Sequence, residues 1–201
     1  MKLYFAPGAC SLSPHIVLLE AGLPFSAVRV DLREKKTADG EDFRAINPKG
    51  YVPALALDDG TLLTEGTAIV QYLADLAPQA GLLAPVGDVA RYKTIGWLSY
   101  ISSELHKNFS PLFNPAASED MKAHGRKMLA MRLELVAAQL EQGDYLEGGF
   151  SVADAYLFTV LGWADFVKLS LADWPVLGAY RARIAARPAV QQAMRDEGLL
   201  K

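Results

Sequence analysis

The first eighty residues mix short apolar runs with helical spacing. Leu3-Tyr4-Phe5 is a brief strand-like run halted by Pro7-Gly8. Ser13-Pro14 predicts a helix start, with serine as the cap and proline at the first helical position; Ile16, Val17 and Leu19 carry the helix on until Gly22. Val28-Arg29-Val30-Asp31 alternates with period two and predicts a half-buried strand. Residues 39–46 predict a short helix closed by Asn47-Pro48-Lys49-Gly50. The apolar runs 54–57 and 61–63 flank Asp58-Asp59-Gly60, which predicts a β-hairpin with an Asp-Gly turn. Residues 65–76 predict another helix, with Ala68, Ile69, Tyr72, Leu73 and Leu76 on one side. The order is β-α-β-α-β-β-α.

Residues 77–88 hold Pro78, Gly81, Pro85 and Gly87 and read as a linker. Beyond it strand signals stop. Leu98, Ile101, Leu105, Phe109 and Leu112 recur at helical spacing, as do Leu129, Leu133, Val136 and Leu140. Residues 152–167 are apolar nearly all round, the pattern of a helix buried in a bundle. Pro175 and Pro188 punctuate the final helices. The expectation is an α/β domain over 1–80 and an all-α domain over 87–201.

Composition narrows the function. A chain of 201 residues buries a core without staples. Its formal net charge of -3 argues against nucleic-acid binding through many phosphate contacts. No run approaches the roughly 18–20 apolar residues that span a bilayer. The N-terminus, broken by Pro7-Gly8, is not a secretory signal. A single cysteine, Cys10, forbids an intrachain disulfide and fits a reducing compartment, so a cytoplasmic location is expected. His15, His106 and His124 are scattered, and no metal site is expected.

Candidate chemistry gathers at helix starts. Cys10 lies between the first strand and first helix, where unpaired N–H groups favour a thiolate; the competing reading is a small core residue. Tyr51-Val52-Pro53 precedes the third predicted strand. A cis Val-Pro bond there, uncommon a priori, would leave the Val52 backbone open to an extended ligand. Glu65-Gly66 opens a helix whose N–H groups suit a carboxylate while Glu65 suits an ammonium; Glu65 is alternatively an ordinary first-turn acid. Ser99, Ser102, Ser103 and His106 share a polar flank, with Glu104 on the opposite side of the helix. Plainer readings are a Glu104–Lys107 pair and a hydrogen-bonded interface histidine. Ser151 and Asp154 form a capping box, a structural feature worth about 1 kcal/mol.

APGACSLSPH at 6–15, NPKGYVPAL at 47–55, LTEGTAIVQYLAD at 63–75, SSELHKNFSPLFNP at 102–115 and SVADAYLF at 151–158 together resemble the bacterial beta-class glutathione S-transferases, across the whole chain. The resemblance implies a thioredoxin-like first domain, an all-helical second domain, a homodimer, and detoxification chemistry that joins the glutathione thiol to small hydrophobic electrophiles. Glutathione is then a co-substrate, with no metal, nucleic acid or membrane as partner. Cys10, Ser11 and His106 would be catalytic, with Cys10 beside the glutathione sulfur and able to form a mixed disulfide. Val52, before a cis Pro53, would pair with the cysteinyl unit. Glu65 and Gly66 would hold the γ-glutamyl end, and Lys35 the glycyl carboxylate. Tyr51, Ser99, Ser103, Glu104 and His106 would add contacts, Glu104 from across the dimer. Phe5, His106, Lys107, Phe109, Phe113 and Trp163 would line the electrophile pocket. Phe5 stands where many relatives carry Tyr, which removes a hydroxyl near the sulfur, and Ser99 replaces the frequent Asn. Two further functions remain open at this point: a glutathione-dependent thiol reductase or reductive dehalogenase built on Cys10, and a non-enzymatic binding module.

Overall fold

The computed structural model describes residues 1–200, which divide into two compact units. The first is built from residues 1–83 and takes in the described residues from Ala186 onward; the second spans Ala84–Ala185.

In the first unit, strand β1 (Lys2–Phe5) leads into helix α1 (Leu12–Glu20), strands β2 (Ser26–Asp31) and β3 (Lys36–Thr37), and the short helix α2 (Phe43–Ile46). Strands β4 (Ala54–Ala56) and β5 (Leu62–Thr64) and helix α3 (Gly66–Leu76) follow. The sheet order is β3-β2-β1-β4-β5. β1 runs parallel to β2 with Leu3 opposite Ala27, and antiparallel to β4 with Leu3 opposite Leu55. This is the expected thioredoxin-like arrangement with one addition, the two-residue β3, which is too short to carry a period. The hairpin forms as expected: Gly60 takes φ +87°, a region open to glycine, and Asp59 accepts from the Thr61 N–H.

Helix α1 begins one turn's fraction earlier than its Ser13-Pro14 signal. Its cap is Ser11, and Pro14 sits third in the helix, still where a missing N–H costs nothing. Ser13 is buried instead of capping. The α3 face also differs from expectation. Ala68 and Leu76 are exposed, and Ile69, Val70, Leu73 and Ala74 are buried. The boundary expected at 87–201 is corrected at its far end. Helix α9 (Pro188–Asp196) packs on α1 and not within the helical bundle. Glu20, on α1, holds the Arg187 guanidinium through two hydrogen bonds of 2.6 and 2.9 Å, and Glu197 reaches the β1–α1 loop.

The second unit is helical: α4 (Val89–Tyr100), a π-helical segment (Ile101–His106), α5 (Lys107–Phe113), α6 (Glu119–Leu140), α7 (Val152–Phe166) and α8 (Pro175–Ala185). Leu98, Ile101, Leu105 and Phe109 are buried as expected, as are Leu129, Leu133, Val136 and Leu140. Helix α7 forms the centre, with every residue from Val152 to Leu161 buried. Its capping box is complete. The Ser151 hydroxyl accepts from the Ala153 N–H, and Asp154 accepts from the Ser151 N–H at 2.9 Å. Asp154 also accepts from the Ser151 hydroxyl, the Leu146 N–H and the Tyr180 hydroxyl. Burial pushes its carboxyl above the usual range, while these donors pull the other way. Ser151→Ala removes one donor and one acceptor from this cluster and is expected to cost about 1 kcal/mol. A urea titration should show a lower midpoint with an unchanged slope; an unmoved midpoint contradicts this.

Candidate active site

The β1–α1 loop, residues 6–11, is folded onto itself. The Ala9 N–H donates to the Ala6 carbonyl, and the Ser11 hydroxyl both accepts from the Ala6 N–H (3.1 Å) and donates to the Ala6 carbonyl (3.3 Å). Ser11 is therefore turned inward and fully buried, and only its backbone faces the helix start. The Gly8 N–H donates to Glu197 at 2.9 Å, and the other carboxylate oxygen of Glu197 meets His15 Nδ1 at 3.0 Å. The His15 ring is stacked between Phe5 and Phe25 in tilted and edge-on contacts.

Cys10 is half-buried, and its thiol donates to the Val52 carbonyl at 3.2 Å. Burial pushes this thiol from an ordinary value of 9.0 up to about 11. The backbone N–H groups of Cys10 and Ser11 favour the thiolate, but Glu65 and Glu197 oppose it and burial outweighs the donors. The donors that the helix start supplies at Cys10 exist, and desolvation outweighs them.

Val52 and Pro53 are joined by a cis peptide bond, the isomer that the resemblance implied and base rates disfavoured. The Pro53 ring touches the start of α3, its Cγ within 3.5 Å of where a Gly66 side chain would begin. Just before that helix, Glu65 adopts φ +69°, a region rare for a residue with a side chain. Its carboxylate does not cap α3; it pairs at 2.5 Å with the Lys49 ammonium, which also donates to Thr64. The first N–H groups of α3, at Gly66 and Thr67, have no intrahelical carbonyl to reach. On the other flank Lys35, also at positive φ, donates to the Gly50 carbonyl at 2.9 Å and lies 5.2 Å over the exposed Tyr51 ring. One unit therefore brings together Cys10, Val52, Pro53, Glu65 and Gly66, with Lys35 and Tyr51 joined beside Gly50. Phe5 belongs to the same unit, buried against His15. Lys49 was missed, although it stands inside the quoted NPKGYVPAL run.

The second unit holds the remaining candidates. His106 ends the π-helical segment; its Nδ1 is 2.6 Å from the Tyr156 hydroxyl and its ring meets the Trp163 ring edge-on at 4.6 Å. Phe109 and Phe113 each meet Trp163 edge-on at 5.7 Å. Burial first, and the Lys107 charge second, pull the His106 imidazolium down to about 4, so the ring is neutral at pH 7. Lys107 itself is exposed. Glu104 points to α6, where the Arg132 guanidinium holds it at 3.0 Å, and this replaces the expected Glu104–Lys107 pair. Ser99 is exposed and donates to the Ile95 carbonyl; Ser103 is exposed beside Glu104. Tyr156 and Arg132 were missed. Both act across distant stretches of sequence, although the seven-residue step from Tyr156 to Trp163 marks one helix face.

Family models for the glutathione S-transferase N-terminal and C-terminal domains match residues 8–76 and 94–188. The glutathione S-transferase GstA of Escherichia coli O157:H7 is 54% identical over 200 residues, covering 99% of this chain and 100% of that one. The chain belongs to the glutathione S-transferase family. A sphingomonad glutathione S-transferase solved with glutathione matches at TM-score 0.96 and 48% identity, over the whole of both chains. The beta-class enzyme of Sphingomonas chungbukensis matches equally completely, at TM-score 0.96 and 46% identity. With relatives named as glutathione S-transferases the chain is a transferase of that family, which sets the binding-module reading aside, and the fold expected from the resemblance stands.

Proposed function

We propose that the first unit binds glutathione in the manner its charges dictate and that the chain joins the glutathione thiol to small hydrophobic electrophiles. The observation that carries the reading is the pairing of opposite poles at the start of α3. The Glu65 carboxylate, already holding one ammonium from Lys49, stands next to N–H groups that lack intrahelical partners. An α-amino acid end carries both charges and satisfies both poles. The Val52 backbone pairs with the cysteinyl unit, and Lys35 beside Tyr51 takes the glycyl carboxylate. Tyr51 supplies a secondary contact.

In the reaction the glutathione thiol loses its proton to solvent and its sulfur attacks an electrophilic carbon. A carbon–sulfur bond forms, and either the leaving group departs with its electron pair or, in addition, the adjacent carbon is protonated. Holding both reactants in place removes much of the entropic barrier. Within the second unit, neutral His106 is able to act as a hydrogen-bond donor, and Phe109, Phe113 and Trp163 offer an apolar wall with few directional polar groups. Such a wall suits varied electrophiles and hence a detoxifying role. Cytoplasmic location and homodimerisation complete the proposal; the lone cysteine supports the first, and the second follows the family resemblance.

Glu65→Ala tests the reading directly. Loss of a charge-assisted hydrogen bond is worth roughly 1.5–3 kcal/mol, or roughly ten- to 150-fold in affinity. Calorimetric titration with glutathione should show that weakening, with little change in kcat once the site is saturated. An unaltered Kd would remove the basis of the assignment.

A further inference from the structure

His106 is gripped by two residues on α7, Tyr156 and Trp163, seven positions apart. Seven residues make about two helical turns, so both side chains leave the same face. Trp163 sets the plane of the imidazole through its edge-on contact. Tyr156 sets its chemistry. The 2.6 Å separation between its hydroxyl and Nδ1 suits an O–H donor, because such bonds cluster near about 2.7–2.8 Å and N–H donors near about 2.9–3.0 Å. Tyr156 is itself buried in the most enclosed helix of its unit, so its hydroxyl has little freedom to turn toward solvent. A neutral imidazole carries a single N–H, on whichever nitrogen is not accepting.

We propose that Tyr156 is a positioning residue: its hydroxyl donates to Nδ1 of His106, keeps the ring as the Nε2–H tautomer, and so makes Nε2 a donor of fixed direction. Burial supports this by keeping the ring neutral at working pH. The inference rests on the proposed donor role of His106 and supplies what that role requires, since a ring that exchanged tautomers would offer a lone pair at Nε2 in place of an N–H part of the time. The companion partner, Lys107, is exposed and contributes only charge.

The test is nitrogen NMR of histidine-labelled protein at pH 7, with His106 assigned by comparison with His106→Ala. The parent should show His106 Nδ1 as a bare nitrogen and Nε2 as a protonated one. In Tyr156→Phe, which keeps the ring and removes only the hydroxyl, both nitrogens should move to averaged positions. Its kcat should fall roughly three- to ten-fold, the range for one lost hydrogen bond, with KM for glutathione unchanged. A protonated Nδ1 in the parent, or an unaltered tautomer in Tyr156→Phe, overturns the inference. Kinetics of His106→Ala judge the donor role separately: full activity there overturns that role, while the spectra alone decide what Tyr156 does.

Discussion

Alkylation of Cys10 by iodoacetamide should be slow at neutral pH and should keep accelerating, about tenfold per pH unit, to beyond pH 10. With the thiol near 11, about one molecule in ten thousand is ionised at pH 7, against about one in a hundred for a thiol at the ordinary 9.0. The more basic thiolate is a better nucleophile by roughly eightfold over two pKa units, which offsets part of that hundredfold loss. The net expectation is a rate about tenfold below a simple thiol at pH 7, on protein first reduced and freed of small thiols. The sign follows from the direction of the shift. Raising a thiol's pKa lowers the reactive fraction at every pH below it. A rate that levels off near pH 7 would show that the helix-start donors win over burial after all.

The same shift separates two kinds of chemistry. A conjugating enzyme draws its nucleophile from glutathione, so a protonated Cys10 is no obstacle, and Cys10→Ala should keep much of the conjugation. Mixed-disulfide formation is different: the Cys10 thiolate must attack glutathione disulfide, forming one S–S bond as another breaks and releasing glutathione thiolate. That step should be slow at pH 7, should quicken toward pH 9, and should vanish in Cys10→Ala. Intact-protein mass before and after reductant reads it out. Complete loss of conjugation in a folded Cys10→Ala protein would refute the division.

What could be read ahead of the structure was local. Asp58-Asp59-Gly60 announces its hairpin because the turn chemistry lies within a few residues, and Ser151 announces its helix because cap and carboxylate are three apart. The π-helical segment left no such mark. Leu98, Ile101, Leu105 and Phe109 are separated by three or four residues, a spacing that an unbroken α-helix satisfies equally well. Pairings were the blind spot. Lys49 with Glu65, Arg132 with Glu104, Tyr156 with His106 and Glu197 with Gly8 each join residues 16 to 189 positions apart. A sequence shows that a donor and an acceptor exist, and only the fold decides which of many meet. The Ser11 hydroxyl shows the converse: its place at a helix start suggests a donor for the site, and the loop's own backbone takes it first.

Glu197→Ala should destabilise the protein by about 3 kcal/mol, a large loss for a single side chain. The magnitude turns on burial. The Glu197 and His15 side chains are 0% and 1% exposed, whereas Lys49 and Glu65 are 53% and 67% exposed and such a pair is worth at most about 1 kcal/mol. Truncation takes a buried acceptor from two groups at once, His15 Nδ1 and the Gly8 N–H, in a place water reaches poorly, and leaves His15 with the 3.7 Å approach of its Nε2 to Asp196. For a chain of this length the melting temperature should drop by roughly 6–12 °C; a drop under about 2 °C would mean that the cluster relaxes without penalty. Glu197→Gln refines the result. Its amide oxygen can accept from Gly8 while its NH2 donates to His15 Nδ1, so a mild loss means that Nδ1 carries no proton and a severe one that it does. Local effects should follow the global ones, because Gly8 precedes Cys10 by two residues. Once Glu197 no longer holds that N–H, the loop loosens, water gains access to the thiol, and Cys10 alkylation at pH 7 should run faster in Glu197→Ala than in the parent.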